Sequence, residues 1–306
     1  MVAPLVRTAF FTAALTMAAC GGSGETPSTG SPAAAVPART PVPETAPEPA
    51  PSAADLRSMR EAAAGDLDAI AARGYLRVLV TPSRTHYAIA DGLQRGAAVD
   101  AALAFETFLN GRRAPGQPAI EVVLVPTPEN ALAGDLADGR GDIAANLLFT
   151  FERYDQVAFA EPARSGIREL VVTGPGVTPM VSLEDVAGRT IHARKSSDHY
   201  ASLVRLNEQL AGIDKPGCTI VVADESLTDE DLLAQVNDGV IPATLVNDYV
   251  FDAWRDVFTA VSVNREIAVS QDGVHAWAVR KDAPELLAAL SAFMTTHDLA
   301  VRAKAR

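Results

Sequence analysis

Short β-like runs alternate with amphipathic helical stretches from about residue 56 onward, and this alternation constrains the fold more than any other feature. The first set consists of strand-like runs at 75–80, 120–125 and 142–148, with helical stretches at about 97–109 and 128–137. The second set consists of runs at 190–193, 218–223 and 243–247, with helices near 198–210 and 228–237. Such alternation predicts α/β architecture on largely parallel sheets.

An internal similarity indicates two lobes of the same kind. Residues 127–148 and 227–248 each contain a polar start, a helical stretch, an Asp-Gly pair and a strand-like run. In each pair, Asp138-Gly139 and Asp238-Gly239, the glycine can take the left-handed conformation that ends a helix. Two copies are too few for a solenoid, and they predict two similar lobes with a cleft between them.

Two further strand-like segments predict that the chain leaves the first lobe and returns to it. The segment at 166–174 leads out and the segment at 274–279 leads back, before a final helix around 283–296. Two crossings would form a hinge of the kind that closes over a ligand. The predicted parts are 56–172 for the first section of lobe 1, 173–270 for lobe 2, and 271–306 for the return strand and C-terminal helix of lobe 1.

The N-terminal residues read as targeting and tethering segments. Residues 1–20 combine Arg7, a short apolar stretch and the sequence LTMAAC, which is similar to a bacterial lipobox ending in a lipidated Cys20. The alternative is an ordinary signal peptide with a chance cysteine. Residues 21–55 are rich in proline, alanine and serine and lack aromatic residues, which predicts a disordered tether. Lipidation of Cys20 would leave Cys218 as a buried or half-buried thiol without a disulfide.

Composition and motifs exclude several classes of function. The net charge of −12, with no basic block, argues against nucleic-acid binding. The five histidines show no HExxH or similar metal spacing, and neither a Walker loop nor a GxSxG elbow occurs. We therefore expect no metal, no cofactor and no catalytic residues.

Four segments carry a resemblance to a known family. They read RGYLRVLVTPSRTHYAI at 73–89, LADGRGDIAANLLFTFERYDQVAFAEP at 136–162, GRTIHARKSSDHYASL at 188–203 and LVNDYV at 245–250. Through them the chain resembles family 3 of the bacterial periplasmic solute-binding proteins, the polar amino-acid-binding type. It is especially similar to the binding-protein-like domain of membrane-bound lytic transglycosylase F. The resemblance implies a two-lobed, type II periplasmic-binding-protein-like α/β fold, with two similar parallel or mixed sheets flanked by helices and a two-crossing hinge.

The resemblance also implies a role for the arginine in the Thr-Phe-Glu-Arg element. At the position of Arg153, amino-acid binders of this family hold the ligand carboxylate, and a guanidinium can do so through two charge-assisted hydrogen bonds. Thr150 of the same element is included in the predicted site. The alternative is that Arg153 pairs with a neighbouring carboxylate, namely Glu152, Asp155 or Glu161.

Other positions of the ligand site follow from the same resemblance. Ser196 and Ser197 precede a helix beginning near Asp198, where free N–H groups favour an anion; the alternative is a simple N-cap. Asp248 stands where the family receives the ligand ammonium, and its alternative is an N-cap for the next helix. Tyr87 would form an aromatic wall or be a core residue.

Three further positions complete the comparison with the family. Asn146 would reach the ligand or make a structural hydrogen bond, and His86 lies beside the predicted aromatic wall. Leu148 departs from the family, because amino-acid binders commonly offer a hydroxyl there. This departure weakens the case for a free α-amino acid but not for a larger carboxylate.

These features predict a lipid-anchored, extracytoplasmic solute-binding protein that acts as a monomer. We expect it to close on a small carboxylate-bearing ligand and to serve ABC-type uptake. The predicted location is the periplasm or cell envelope. The alternative is a sensor or adaptor that binds peptidoglycan-derived peptides and regulates a murein hydrolase. Because the sequence ends at Arg306, we expect no lytic domain after the final helix, and an enzyme on the same scaffold is a third and weaker hypothesis.

The lipid anchor gives a direct prediction. Replacing Cys20 by serine removes the only thiol that a lipobox would modify, so the Cys20→Ser protein should leave the membrane fraction and appear in the soluble envelope fraction. Cys218→Ser is the matched control and should remain with the membranes. Membrane attachment of the Cys20→Ser variant would contradict lipidation at that residue.

Overall fold

The computed structural model describes Met59, residues 61–160 and residues 164–297 of the chain. The predicted signal peptide, Cys20, the tether at 21–55 and Glu161 lie outside the described residues. All described residues belong to one unit, Pro47–Arg306.

The first half of this unit follows the predicted strand–helix alternation. Its elements, in chain order, are α1 (Leu67–Arg73), β1 (Tyr75–Val80), β2 (Ala88–Ala90), β3 (Leu93–Arg95), α2 (Ala97–Asn110), β4 (Glu121–Pro126), a 3-10 turn (Glu129–Ala131), α3 (Leu132–Ala137), β5 (Ile143–Leu148), α4 (Phe151–Gln156) and β6 (Val157–Phe159). The hairpin of β2 and β3 was not predicted, because its strands have only three residues each.

The second half begins at a long strand and repeats the alternation. Its elements are β7 (Arg164–Thr173), a 3-10 turn (Leu183–Val186), β8 (Thr190–Arg194), α5 (Asp198–Ala211), β9 (Thr219–Ala223), α6 (Asp229–Asn237), β10 (Ala243–Asn247), α7 (Asp248–Trp254), β11 (Ser262–Arg280) and α8 (Pro284–Thr296). The helix α8 packs back on the first half, where Phe293 lies in the core with Phe105 of α2.

Nine strands form one continuous mixed sheet in the order β4-β1-β5-β11-β7-β10-β8-β9, with β6 paired to β11, and β2 and β3 form a separate two-stranded sheet. Strand β1 is parallel to β4 and β5, and β8 is parallel to β9 and β10. The centre is antiparallel, because β11 pairs with β5 on one side and β7 on the other. The chain therefore crosses between the halves on two adjacent strands.

Strand β11 is much longer than the predicted return strand. The predicted part at 274–279 pairs with β5 in the first half, whereas residues 262–273 pair with β7. The early part mixes polar and apolar residues, and its partly exposed surface gives no apolar run in the sequence. Its pairing with β7, and not its local composition, makes it a strand.

The internal similarity predicted from sequence is confirmed at both helix ends. Gly139 follows α3 with φ 75° and Gly239 follows α6 with φ 70°, which are left-handed conformations that favour glycine. Cys218 is buried and free, as predicted. Burial raises the pKa of its thiol.

One buried acid organises the first half. Asp142, at the start of β5, is fully buried and accepts hydrogen bonds from the Arg77 backbone N–H at 2.8 Å and its side-chain Nη2 at 3.0 Å. Arg73 and Arg280 also pair with this carboxylate. Arg77 in turn donates to four backbone oxygens, those of Met59, Glu61, Ala63 and Gly139. The cluster fastens the segment before α1 to the sheet.

Neutralising this acid should strongly destabilise the fold. Asp142→Asn leaves three guanidinium groups around one uncharged amide, and breaking a buried ion pair in this way typically costs about 3–5 kcal/mol. Urea unfolding followed by circular dichroism would measure the change. The control is Asp138→Asn, which removes an exposed partner of Arg140 and should change stability by less than about 1 kcal/mol. Equal stability of the two variants would contradict the role assigned to Asp142.

Candidate functional site

A small cavity lies between the two halves, where β1, β5, β8 and β10 end. It has about 50 Å³ accessible to the centre of a water molecule. Polar side chains from both halves border it, namely Thr81, Ser83, His86, Glu129 and Asn146 from the first, Arg194, Asp229, Asn247 and Tyr249 from the second, and His275 from β11. Carboxyl ends of parallel strands are a common place for a ligand in α/β proteins.

A buried ionic network forms one wall of the cavity. Arg194 Nη2 lies 2.6 Å from Asp229 Oδ1. His199 Nδ1 lies 3.0 Å from Glu169 Oε1 and His199 Nε2 lies 3.5 Å from Asp229 Oδ2, with the carboxylates as acceptors. Burial alone would raise the pKa of Asp229, but Arg194 and His199 outweigh it and hold that pKa below its usual range. Asp229 and Glu169 likewise overcome the effect of burial on His199 and raise its pKa. The network therefore holds paired charges.

Glu129 approaches this network from the first half. Its carboxylate lies 3.7 Å from Arg194 Nη2. Burial, and then the negative charges of Asp198 and Asp229, raise its pKa to about 8. At neutral pH the Glu129 side chain is therefore mainly a neutral carboxyl group that can donate one hydrogen bond and accept others.

Three side chains on the opposite wall share hydrogen bonds. The Tyr249 hydroxyl lies 3.0 Å from His86 Nε2 and accepts from Asn146 Nδ2 at 3.3 Å. Burial lowers the pKa of His86 and lowers that of His275, the next ring along the wall, to about 3. Asn146 has φ 54°, a left-handed conformation uncommon outside glycine. That strained backbone turns the last part of β5 at the cavity wall.

Hydrogen bonds tie the two halves together beside the cavity. Glu230 of α6 is fully buried and accepts from Ser83 Oγ at 2.8 Å, the Arg84 N–H at 3.2 Å and the Thr85 N–H at 3.0 Å. Thr85 also receives a bond from Trp254 Nε1 at 3.0 Å. These contacts hold the halves close together, which accounts for the small size of the cavity.

Arg153 makes a second tie between the halves. Its Nη1 donates to Asp198 Oδ2 at 2.9 Å and its Nη2 to Asp198 Oδ1 at 2.6 Å, a bidentate pair between α4 and the first residue of α5. Nη1 also donates to the Leu148 carbonyl. The predicted alternatives Glu152 and Asp155 are not its hydrogen-bond partners. A ligand carboxylate at Arg153 would have to displace Asp198.

A second, larger space opens beside this pair. About 420 Å³ is accessible to water centres there, between Leu148–Arg153, the start of α5 and residues 270–274 of β11. Arg153 and Asp198 border this space and do not border the smaller cavity. The two spaces share no lining residue.

The remaining predicted site residues have structural contacts. Thr150 is the N-cap of α4 and accepts from the Arg153 N–H, and Ser197 is the N-cap of α5. Ser196 is half-buried and donates to the carboxylate of Glu225. Asp248 begins α7 and lies 3.6 Å from Arg168. Tyr87 is buried in the core of the first half.

The structure thus brings only part of the predicted set together. Asn146 borders the small cavity with His86, and the other predicted residues do not. Sequence reasoning missed Glu129, Arg194, Asp229 and Glu230. Arg194 is the last residue of β8, Glu129 opens a 3-10 turn, and Asp229 and Glu230 open α6. Their positions next to the ends of predicted strands and helices were the only sequence signal for a role in the site.

Metal-ligand groups and membrane-spanning helices are both absent from the described part of the chain. Within it, no group of three or more histidine, cysteine, aspartate or glutamate side chains could hold a metal ion. No helix among residues 61–160 and 164–297 is long and apolar enough to cross a bilayer.

Comparisons with known proteins support the resemblance stated from sequence. No family model matches the chain. The membrane-bound lytic murein transglycosylase F of Desulfosudis oleivorans is 29% identical over 159 residues, which are 51% of this chain and 33% of that protein. The chain therefore matches about a third of the length of this curated relative.

Solved structures match over most of the described chain. An amino acid ABC transporter substrate-binding protein from Streptococcus pneumoniae, bound to L-arginine, has a TM-score of 0.61 at 19% identity and covers 76% of this chain and 94% of its own. The holo ArgBP of T. maritima has a TM-score of 0.59 at 20% identity, covering 75% and 93%. An ancestral arginine-binding protein bound to arginine gives 0.59 at 21%, covering 73% and 92%. The predicted type II periplasmic-binding-protein fold is confirmed.

The raised pKa of Glu129 gives a pH prediction. Between about pH 4.5 and 8 the unfolded chain ionises this group while the folded protein keeps its proton, so the protein should lose stability as pH rises through this window. Glu129→Gln removes this loss. At pH 9 the free energy of unfolding of the variant should therefore exceed that of the wild type by about 1 kcal/mol or more, which corresponds to a Tm higher by roughly 2–4 °C.

Thermal unfolding at several pH values would measure this effect. Glu121→Gln, which changes the same group on the exposed side of β4, is the control and should follow the wild-type profile. A Glu129→Gln variant with the wild-type dependence on pH would show that Glu129 ionises normally in the folded protein.

Proposed function

We propose that this chain is an extracytoplasmic solute-binding protein whose two halves close on a small carboxylate-bearing ligand in the cavity between them. The observation that carries the proposal is the cavity itself. The residues Thr81, Arg194 and His275 border it. Each carries a buried polar atom, Oγ1, Nε and Nδ1 respectively, without a hydrogen-bond partner among the described residues. Buried polar atoms are normally paired, and a polar ligand would supply the missing partners.

The connections between the halves support closure around a ligand. The halves are joined by β7 and β11, and hydrogen bonds from Glu230 and Arg153 link their facing surfaces. Opening would break these bonds and bend the two strands, and a ligand that contacts both halves would favour the closed state. The ligand-binding roles predicted for Arg153, Asp248, Ser196, Ser197, Tyr87 and Thr150 stay predictions. The predicted lobe boundaries at residues 172/173 and 270/271 stay predictions as well.

Delivery to a transporter is part of the proposal. Proteins of the same fold include an amino acid ABC transporter substrate-binding protein, and arginine is bound in several of them. With Cys20 lipidated, residues 21–55 would tether the folded part to a membrane in the cell envelope, where it would pass its ligand to an ABC permease. The proposal includes no catalytic step.

A second function is favoured by the similarity to part of a lytic transglycosylase F. In this alternative the protein binds a peptidoglycan-derived peptide and regulates a separate murein hydrolase. The larger space beside Arg153 would suit such a ligand better than the small cavity.

A thermal-shift screen of the purified full-length chain tests both functions. The compounds are L- and D-amino acids, small carboxylates and muropeptide fragments. A ligand that binds only the folded state raises Tm, and about 100-fold excess over Kd contributes about 2.7 kcal/mol. A shift with small acids supports solute binding, whereas a shift with muropeptides alone supports the alternative. No shift with any compound would contradict both.

Two tyrosine variants test whether the ligand that raises Tm binds in the small cavity. Tyr249→Phe removes the hydroxyl that links His86 and Asn146 at the cavity wall, so we expect a smaller ligand-induced shift. Tyr154→Phe removes a hydroxyl from an exposed tyrosine outside the cavity and should keep the full shift. Equal shifts in the two variants would argue against binding in this cavity.

A further inference from the structure

Two arginines lie near the contact between the halves, and only one of them borders the small cavity. We propose that Arg194, and not Arg153, receives the carboxylate of a compact ligand, an α-amino or α-hydroxy acid of two or three carbons. This inference rests on the proposed function and names the ligand class and the residue that selects it. Arg194 was not predicted as a site residue.

The two terminal nitrogens of Arg153 already have acceptors within the protein. Both terminal nitrogens donate to Asp198, and Nη1 also donates to the Leu148 carbonyl oxygen. Burial alone would raise the pKa of Asp198, but Arg153 outweighs it and keeps that pKa low, so the carboxylate stays charged. A ligand acid would have to compete with a bidentate partner supplied by the protein itself.

Arg194 keeps a donor free. Its side chain is 7% exposed and pairs with Asp229 through Nη2, while Nε is buried without a partner among the described residues. A buried N–H without an acceptor is costly, and a carboxylate oxygen would satisfy it with a charge-assisted bond. The Thr81 hydroxyl, unpartnered at the same cavity, can donate to the same ligand group.

The other end of the ligand would face Glu129. This side chain borders the same cavity and lies 3.7 Å from Arg194 Nη2. A carboxyl group there can accept a hydrogen bond from an amino or a hydroxyl group next to the ligand carboxylate. The unpartnered Nδ1 of His275 offers a further polar contact. These groups select a carboxylate with an adjacent polar substituent.

The size of the cavity limits the ligand. About 50 Å³ for water centres corresponds to a few water molecules, hence to roughly four to six ligand atoms other than hydrogen. The walls cannot separate without loss of the bonds from Glu230 to Ser83 and Thr85. Glycine, alanine, glycolate and lactate fit this limit, whereas the side chain of L-arginine exceeds it.

Calorimetric titration of the full-length chain tests the inference. The probes are glycine, L-alanine, D-alanine, glycolate, L-lactate and L-arginine. We expect at least one compact acid to bind the wild type, with L-arginine weaker or undetectable. Arg194→Gln should weaken binding of that acid at least about tenfold, the effect of losing one charge-assisted hydrogen bond. Arg153→Gln should weaken it by less than about threefold.

Two further variants provide a control and an independent test of binding at Arg194. Arg255→Gln changes an exposed arginine of the same half and should leave the affinity unchanged. Arg194→Gln could unfold the protein by breaking the pair with Asp229, so Thr81→Val provides an independent test. It removes the second free donor with nearly the same side-chain shape, and we expect it to weaken binding roughly three- to tenfold.

The outcomes separate this inference from the proposed function. Binding that is lost in Arg153→Gln and retained in Arg194→Gln and Thr81→Val would overturn the inference and leave solute binding intact. Binding of L-arginine in preference to every compact acid would overturn the size limit in the same way. No binding of any probe by the folded wild type, in the calorimeter and in the wider thermal-shift screen, would overturn the proposed function and the inference together.

Discussion

The pairing of β7 with β11 is the interaction on which the rest of the structure depends. These two antiparallel strands are the middle of the main sheet, and every other strand of that sheet lies on one side of them or the other. The pairing is irregular, with four register shifts between Val263 and His275. Bulges of this kind bend strands and weaken regular pairing locally. Relative movement of the halves is therefore easiest to accommodate in this central ribbon.

The same ribbon also places charged and aromatic groups at the cavity. Glu169 on β7 holds His199, and His275 on β11 stands against Tyr249. Burial of so many polar groups is costly unless each is paired. The network of Arg194, Asp229 and His199 pairs its charges within the second half, so this wall of the cavity is organised without help from the first half. Arg194 Nε is left without a partner among the described residues. Closure then adds Glu129 to a wall that is already formed.

The sequence predicted most of the secondary structure because the strands near the core are apolar runs between clear helix ends. Prediction failed where tertiary pairing decides the conformation, as in the early part of β11 and the hairpin of β2 and β3. Arg153 was expected to pair with a carboxylate, either of the ligand or of a neighbouring residue, because of its place in the Thr-Phe-Glu-Arg element. Its partner Asp198 lies 45 positions away in the other half, and no local pattern connects the two residues.

The cavity was harder to predict for a related reason. Glu230 reads as an ordinary acidic residue in the first turn of a helix, yet it is fully buried and binds the 83–85 turn of the other half. Arg194 is the last residue of β8, and Glu129 is the first residue of a 3-10 turn in the other half. The distance between the two side chains depends on how closely the halves approach each other. Such contacts depend on tertiary structure, which single-residue patterns do not encode.

The buried cluster around Asp142 lies at the end of the first half that is opposite to the cavity. Arg77 fastens the segment from Met59 to Ala63 beside the first residues of β1 and β5, whereas Val80 and Asn146 carry the cavity at the opposite ends of the same strands. The point at which the N-terminal segment joins the folded part is therefore far from the cavity, so a partner bound at one end of the first half would leave the other end free.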